Sequence, residues 1–442
     1  MFNFASLATS FGGFIWIVFF FVLALSVIVT VHEYGHYIVG RWCGIHAEVF
    51  SVGFGSVLLS KLDKRGTRWQ IAALPFGGYV KFKGDANVAS GPDWQVSPNL
   101  SPIELRRTMH GAPVWARAAT AAAGPAFNFI FSTILFCVLF MWQGQFTDAP
   151  KISKMFPTPT MNTLQIGDEI ISVNGLDVSS IEDLVIVGKE IVAPAFYTVL
   201  RDKRHVQARG PVPFPALVSQ VQPRSAAIEA GIKIGDVIVS IDGQKLNNFA
   251  DLQAAVAAAD ADAMLFSVWR GGSEFDISLT SRLVATPTLD GSFENRRLIG
   301  ITGGIFFEPG TEPLPFGIAL NAALKRTWYI ITVSLAGIKE MVFGKISACN
   351  LSGPVAIAET AGQIASQGTM PFLALIAGLS TAIGLMNLFP IPVLDGGHLV
   401  FCAYEAITGR KPSDPVQQIL MTLGLVAILS LTLFAIVINE IC

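Results

Sequence analysis

Four long apolar runs organise the chain, and the polar sequence between them falls into two kinds. The first run covers about Phe14 to Val39, and no charged residue occurs from Phe11 to Thr30. The others cover about Ala118 to Trp142, Phe372 to Tyr404 and Val416 to Ile438. Each reaches the roughly 20 residues needed to cross the hydrocarbon layer of a bilayer. A fifth candidate, Trp328 to Ile338, is short and flanked by Lys325, Arg326 and Lys339, so it predicts an amphipathic helix at the membrane surface. The first run has no Lys or Arg before it and no small-residue cleavage site after it, so it predicts a membrane helix rather than a cleaved leader.

Between the first two runs the period changes. "AEVFSVGFGSVLLSKL" (47–62) and "TRWQIAALPFGGYVKF" (67–82) alternate in part and are rich in glycine, which predicts short antiparallel strands. Non-helical backbone at membrane depth is tolerated where protein or water shields it. The stretch is therefore either a re-entrant sheet beside the helices or a cytoplasmic hairpin.

The long block between the second and third runs holds an internal repeat. "TLQIGDEIISVNGLDVSSIEDL" (163–184) aligns without gaps on "GIKIGDVIVSIDGQKLNNFADL" (231–252), with eight of 22 positions identical. Each copy reads as a Gly-Asp turn, an alternating strand, an Asn-Gly or Asp-Gly turn and a short helix. Two copies predict two small tandem α+β modules. The stretch "LVSQVQPRSAAIEAGIKIGDVIVSIDG" (217–243) resembles a PDZ domain of the bacterial protease-associated type, a fold that takes extended peptide ends at a sheet edge.

Composition agrees with a membrane protein carrying some soluble mass. Of 442 residues 52% are hydrophobic and 14% charged, where a soluble chain is about a quarter charged. The net charge of −2 gives no sign of nucleic-acid binding. Five cysteines (Cys43, Cys137, Cys349, Cys402, Cys442) form no CxxC pair, and none lies in residues 144–340, so no disulfide framework is expected there. Basic residues cluster between the first and second runs (Arg41, Lys61, Lys64, Arg65, Arg68 and others) and between the third and fourth (Arg410, Lys411). Positive-inside then predicts both loops in the cytoplasm, with both termini and the repeat block on the opposite side.

The chemistry lies inside the apolar runs. "TVHEYGH" (30–36) brings His32, Glu33 and His36 into the first. Ionisable groups there are expensive and usually functional. HExxH on a helix puts two imidazoles on one face, spaced to bind one Zn²⁺, with the glutamate available as general base. Two buried histidines bonded to neighbours is the bland alternative, but no basic partner for Glu33 lies nearby. A catalytic zinc needs a third protein ligand. "MNLFPIPVLDGGHLV" (386–400) offers Asp395 at the end of the third run, after Pro390 and Pro392, which would break the helix. Gly396 and Gly397 allow close backbone approach. His398 is a rival ligand, and Asp395 as a plain turn former is the bland reading.

These motifs, with "AAAGPAFN" (121–128), resemble the site-2 protease family of intramembrane zinc metalloproteases, in its RseP-type branch with tandem PDZ domains. The pattern HExxH plus NxxPxPxLDGG matches without a gap. The resemblance implies that His32, His36 and Asp395 hold Zn²⁺, that Glu33 is the catalytic acid/base, and that Asn387 lies near the substrate backbone. It favours the re-entrant form of 46–83. It implies a multi-pass protein of a bacterial inner membrane, with both termini and the PDZ domains periplasmic and the active site near the cytoplasmic side. Substrates would be single-span membrane proteins, such as an anti-sigma factor already trimmed outside, with remnant signal peptides a further class. The PDZ pair would act as a size filter.

The expected fold class is a polytopic α-helical membrane protein with four transmembrane helices, a re-entrant β segment and two extracytoplasmic α+β PDZ domains. The expected division is 1–45, first helix; 46–111, re-entrant segment; 112–143, second helix; 144–212 and 213–290, the two modules; 291–371, membrane-surface helices; 372–408, third helix; 409–442, fourth helix. Two rivals from other classes are a membrane metal transporter and a non-catalytic PDZ scaffold. The transporter needs a polar path, which the second and fourth runs do not supply.

Overall fold

The structure is a computed structural model, and it describes every residue except 1–3, 85–100, 148, 189–190, 192, 260–261, 289–292, 345, 348–352 and 442. The chain divides into two compact units. One comprises residues 1–139, 317–339 and 351–442; the other comprises 140–316 and 340–350.

The first unit begins with helix α1 (Phe4–Trp42). Its run is apolar on all sides, as befits a helix surrounded by lipid and protein, and Phe14, Ile15 and Phe19 face outward. Arg41 in the last turn suits the negative end of the helix dipole. It also ties the helix end to the following hairpin, donating to the Tyr37 hydroxyl at 2.7 Å and lying 3.6 Å from Asp63.

The hairpin is β1 (Ala47–Leu62) with β2 (Arg68–Phe82), antiparallel and longer than the short strands expected, at 16 and 15 residues. Both strands bend. Val49–Val52 lies against Gly78–Lys81 on one side and Arg68–Ile71 on the other, while Val57–Leu62 pairs with Arg68–Ala72. The bend in β1 falls at Gly53 and Gly55, both in the left-handed region that favours glycine. Gly78–Phe82 pairs with β1 on one side, so it forms an edge of this small sheet. Phe50, Val80 and Phe82 pack with Tyr37 of α1 in one cluster, which puts the sheet beside the helix. Residues 85–100, within the expected segment 46–111, lie outside the described residues. The short α2 (Pro102–Arg106) follows, closed by a Ser101–Glu104 capping box. Helix α3 (Val114–Gln143) is the second apolar run.

The second unit contains the repeat. Short strand β3 (Gln145–Phe146) and β4 (Ile152–Met155) precede β5 (Glu169–Val173), β6 (Leu176–Asp177), α4 (Ile181–Gly188), β7 (Ala195–Arg201) and β8 (Arg204–Gly210). The second copy runs β9 (Val218–Val221), α5 (Ala226–Glu229), β10 (Val237–Ile241), β11 (Gln244–Lys245), α6 (Phe249–Ala258), β12 (Ala263–Arg270) and β13 (Ser273–Thr280). The two four-stranded sheets have the same order, β6-β5-β7-β8 and β11-β10-β12-β13. Ile170, Val173 and Leu184 fill the first core, and Ile238, Ile241 and Leu252 occupy the equivalent places in the second.

Hairpin β14 (Arg282–Pro287) and β15 (Phe293–Leu298) leads to β16 (Ile301–Gly303), β17 (Phe307–Pro309) and β18 (Thr311–Glu312). Here the structure departs from the expected division. The segment 291–371 was expected to be helical, yet its first part is strands. β16 pairs with β9 of the second copy, β17 with β4 of the first, and β18 with β3. Phe306 and Phe307 are buried in the first core. The returning chain therefore completes both copies, and neither is finished by its own contiguous stretch.

Helix α7 (Phe316–Val342) is much longer than the eleven-residue apolar stretch at its centre. Ala319, Ala323 and Thr327, four residues apart, form its buried stripe. Thr327 lies 3.3 Å from Thr133 of α3, hydroxyl to hydroxyl. Helix α8 (Pro354–Ser366) lies on α1, where the Trp16 indole donates to the Gly362 carbonyl at 3.2 Å. Residues 350–352 of "NLSGPVAIAE" lie outside the described residues. The third apolar run is two helices, α9 (Thr369–Asn387) and α10 (Asp395–Thr408), separated by the proline-containing turn. Helix α11 (Asp414–Ile441) closes the chain. Among the described residues four helices are long and apolar enough to cross a membrane: Gly13–Trp42, Val114–Gln143, Thr369–Asn387 and Asp414–Ile438.

Candidate metal centre

Three side chains from two distant parts of the chain converge. His32 and His36 stand one turn apart on α1, and Asp395 is the first residue of α10. His32 Nε2 lies 3.1 Å from His36 Nε2 and 3.1 Å from Asp395 Oδ2, and His36 Nε2 lies 3.4 Å from Asp395 Oδ1. One ligand atom from each fits within 4.8 Å of the others.

The turn before α10 explains how Asp395 is aimed. Pro390 and Pro392 stop α9 from continuing, since neither can donate a backbone hydrogen bond. The chain then folds back so tightly that a Cβ on Gly396 would lie 2.1 Å from the Phe389 carbonyl, and one on Gly397 2.4 Å from that of Ile391. Both glycines of LDGG are thus required by the turn itself.

Helix α3 supplies the floor. A Cβ on Gly124 would lie 2.3 Å from His36 Nε2 and 2.7 Å from His32 Cε1. On the other side, a Cβ on Gly35 would lie 2.5 Å from the Ala123 carbonyl. The two helices touch backbone to backbone at the histidines. The Thr120 carbonyl accepts from His36 Nδ1 at 2.7 Å, which leaves Nε2 of that ring free to donate its lone pair. Asn128 Nδ2 lies 3.2 Å from His32 Nδ1.

The donor set fits zinc. Two imidazoles and a carboxylate are common ligands, and ligand atoms around a tetrahedral Zn²⁺ with ~2.05 Å bonds are about 3.3 Å apart, close to the separations found here. Asp395 Oδ2 is buried and accepts no hydrogen bond among the described residues, although it points at the histidines. An unsatisfied buried carboxylate oxygen is costly, and a cation among the three would remove that cost.

Glu33 lines the same cavity, of about 550 Å³. Its Oε2 accepts from the Val80 amide at 3.1 Å, so the edge strand of the small sheet meets the glutamate of HExxH. Asn387, the last residue of α9, also lines the cavity. His398 lines it as well but stands outside the three-residue cluster, and its ring packs edge-on against Phe401. Further along the same cavity Arg117 of α3 donates to Glu405 of α10 at 2.6 Å.

The Val80 amide and the Thr120 carbonyl carry no motif of their own, while Gly124 and Asn128 lie within "AAAGPAFN" (121–128) but received no role from the sequence. Asn128 had a further sequence signal, as an amide side chain in the middle of an apolar run.

The model of Peptidase family M50 matches residues 20–431. A protein of Agrobacterium fabrum that carries the name of a zinc metalloprotease is 36% identical over 94% of this chain and 93% of its own length. The regulator of sigma-E protease RseP of Escherichia coli is 33% identical over 96% of this chain and 98% of its own length, and that of Salmonella typhimurium is 33% identical over 95% and 98%.

Proposed function

The chain belongs to peptidase family M50 and is a zinc metalloprotease of the membrane, and from that premise we propose that it cuts single-span membrane proteins within the bilayer, near its cytoplasmic side. The observation that carries this reading is the convergence of His32, His36 and Asp395 where α1 meets α10. In this reading those three hold the zinc ion and Glu33 is the general acid/base. Bound there, zinc supplies Lewis acidity, which acidifies water and polarises a carbonyl.

The residues of the chain do the rest. Glu33 removes a proton from the attacking water and later delivers it to the leaving amine. A substrate helix has its amides and carbonyls bonded internally, so it must open before attack. Gly78–Phe82 lies at the edge of the small sheet, with Gly78, Tyr79, Val80 and Phe82 lining the cavity, and an extended segment can add to a sheet edge by backbone hydrogen bonds. Asn387 would contact that opened backbone. If Arg41 marks the cytoplasmic boundary, His32 lies nine residues inside, or roughly 14 Å at the helical rise. Water then enters from the cytoplasm through the cavity that reaches Arg117 and Glu405.

The distribution of Lys and Arg supports both termini and the repeat block facing the periplasm. We read the two copies as PDZ domains acting as a size filter, admitting substrates already trimmed outside. The name regulator of sigma-E protease, carried by two relatives, supports an anti-sigma factor as one substrate; remnant signal peptides are another.

The test is co-expression with single-span candidates, full-length and trimmed. The wild type should cut the trimmed form. Glu33→Gln should lose at least about a hundredfold in rate, the scale of a general base, while zinc stays bound; cutting at the wild-type rate would falsify the assignment. Removing residues 150–310, modules together with their returning strands, should allow full-length substrate to be cut. Unchanged rejection of that substrate rules out the filter.

A further inference from the structure

Asn128 is fully buried on α3, two turns beyond Thr120, with Gly124 midway between them. These three positions, spaced by four, share the helix face turned to the histidines. Thr120 meets His36 and Asn128 meets His32, because α1 and α3 run in opposite directions there. The two contacts differ in kind. A carbonyl can only accept, so the proton of His36 sits on Nδ1. Asn128, in contrast, faces His32 Nδ1 with its amide nitrogen, while its Oδ1 is buried and has no partner among the described residues.

That orientation conflicts with the cluster. His32 Nε2 faces His36 and Asp395. To donate a lone pair to a metal it must be bare, so His32 Nδ1 carries the proton and needs an acceptor. The two ends of a side-chain amide are nearly the same in shape, and a half-turn about the last bond exchanges them. After that turn Oδ1 stands where Nδ2 is drawn, 3.2 Å from the ring nitrogen.

We propose that Asn128 is a positioning residue whose amide oxygen accepts from His32 Nδ1–H and so holds His32 as the tautomer that presents Nε2 to zinc. This rests on His32 being a zinc ligand, as argued above. α3 then sets both imidazoles by the same device, a backbone acceptor for His36 and a side-chain acceptor for His32, on either side of the glycine that lets the rings approach.

The experiment uses the full chain purified in detergent. Zinc affinity is measured by competition with a chelator, and the visible spectrum of the cobalt(II)-loaded protein reports the ligand field. Asn128→Asp keeps an acceptor and loses the donor; it should bind zinc within about threefold of wild type or more tightly, whereas Asn128→Ala should bind about 10- to 100-fold more weakly, the usual effect of removing a partner behind a metal ligand. The cobalt spectrum should change in Asn128→Ala and stay near wild type in Asn128→Asp. Loss of affinity in Asn128→Asp, or wild-type affinity in a folded Asn128→Ala, overturns the proposal. If Asn128→Ala does not fold, Asn128→Asp decides alone, because a donor contact would be lost in it. His32→Ala tests the premise separately: wild-type zinc affinity there would remove His32 from the site whatever Asn128 does.

Discussion

The molecule buries aspartates in two ways. In the repeat unit Asp168 and Asp236 are each 1% exposed at the side chain, and each is fully engaged. Arg201 holds Asp168 through two nitrogens at 2.7 and 2.6 Å, and the Gln165 amide donates at 2.8 Å. Arg270 holds Asp236 at 2.6 and 2.7 Å, and the Lys233 amide donates at 2.7 Å. In the membrane unit the Asp395 side chain is 17% exposed, and it faces two imidazoles and keeps one buried oxygen without a hydrogen-bond donor among the described residues. The satisfied carboxylates fix a turn in each copy of a repeat. The unsatisfied one has its remaining capacity turned toward a cavity. The donor count sets the two apart most clearly.

The sharpest break of this comparison is to remove each aspartate in turn. Asp395→Ala should abolish zinc binding in the purified protein, since the proposed site would lose one of its three protein ligands, with the repeat unit unaffected by hydrogen exchange. Retained zinc would mean that the open oxygen serves something else. Gly124→Ala should follow, weakening zinc binding by about tenfold or more, because the new methyl competes with the His36 ring for space at 2.3 Å; wild-type affinity would show that α3 yields easily. Asp236→Ala should leave zinc in place and destabilise the second copy by roughly 2–3 kcal/mol, below the range for a fully buried pair because Arg270 is a third exposed. Exchange rates in β10 and β12 would report it.

Acid separates the two sites more gently. Burial alone would raise the Asp168 carboxyl, but the Arg201 and Gln165 hydrogen bonds and the Arg201 charge outweigh it and hold the carboxyl below its usual range. Its folded value is depressed, so its contribution is complete above the unfolded carboxylate value of about 4 and is lost as pH falls through the folded value. Local protection around β5 and β7 should stay flat from neutral pH to about 4 and then drop. Arg201→Gln should remove that late drop. The smallest effect belongs to the exposed pair of Lys154 and Glu308 at 2.7 Å. Glu308→Ala should change thermal stability by less than about 1 kcal/mol, and a larger change would mean that donor count is a poor guide at the surface as well.

What the sequence carries legibly is what local pattern encodes. The four apolar runs, the helical spacing of His32 and His36, the proline break before Asp395 and the two-copy repeat all depend on residues within a few turns of one another. The closure of both copies by β16 and β17 depends on pairings 80 or more positions apart, and nothing in "ITGGIFFEPG" names its partners. The expectation of surface helices from 291 failed there because Phe306 and Phe307 are taken up by a core built 100 residues earlier. Helix α7 outgrew its apolar centre because its buried stripe consists of alanines and a threonine, which mean hydropathy barely registers. The groups around the metal centre were hidden for a different reason. The Val80 amide and the Thr120 carbonyl are backbone, and backbone carries no sequence signature.

The returning strands also set an order of events. Ile152 of β4 leaves the ribosome long before Pro309, its partner in β17. At 5–20 residues per second the interval is about ten to thirty seconds. Through that time the first copy lacks Phe306, Phe307 and its closing strand, while α1 and α3, already made, can meet and leave His32 and His36 waiting for Asp395. The protein is therefore assembled around two unfinished halves. Both the core of the first copy and the cluster on α1 are completed by chain that arrives after β13, so a product truncated there would have neither.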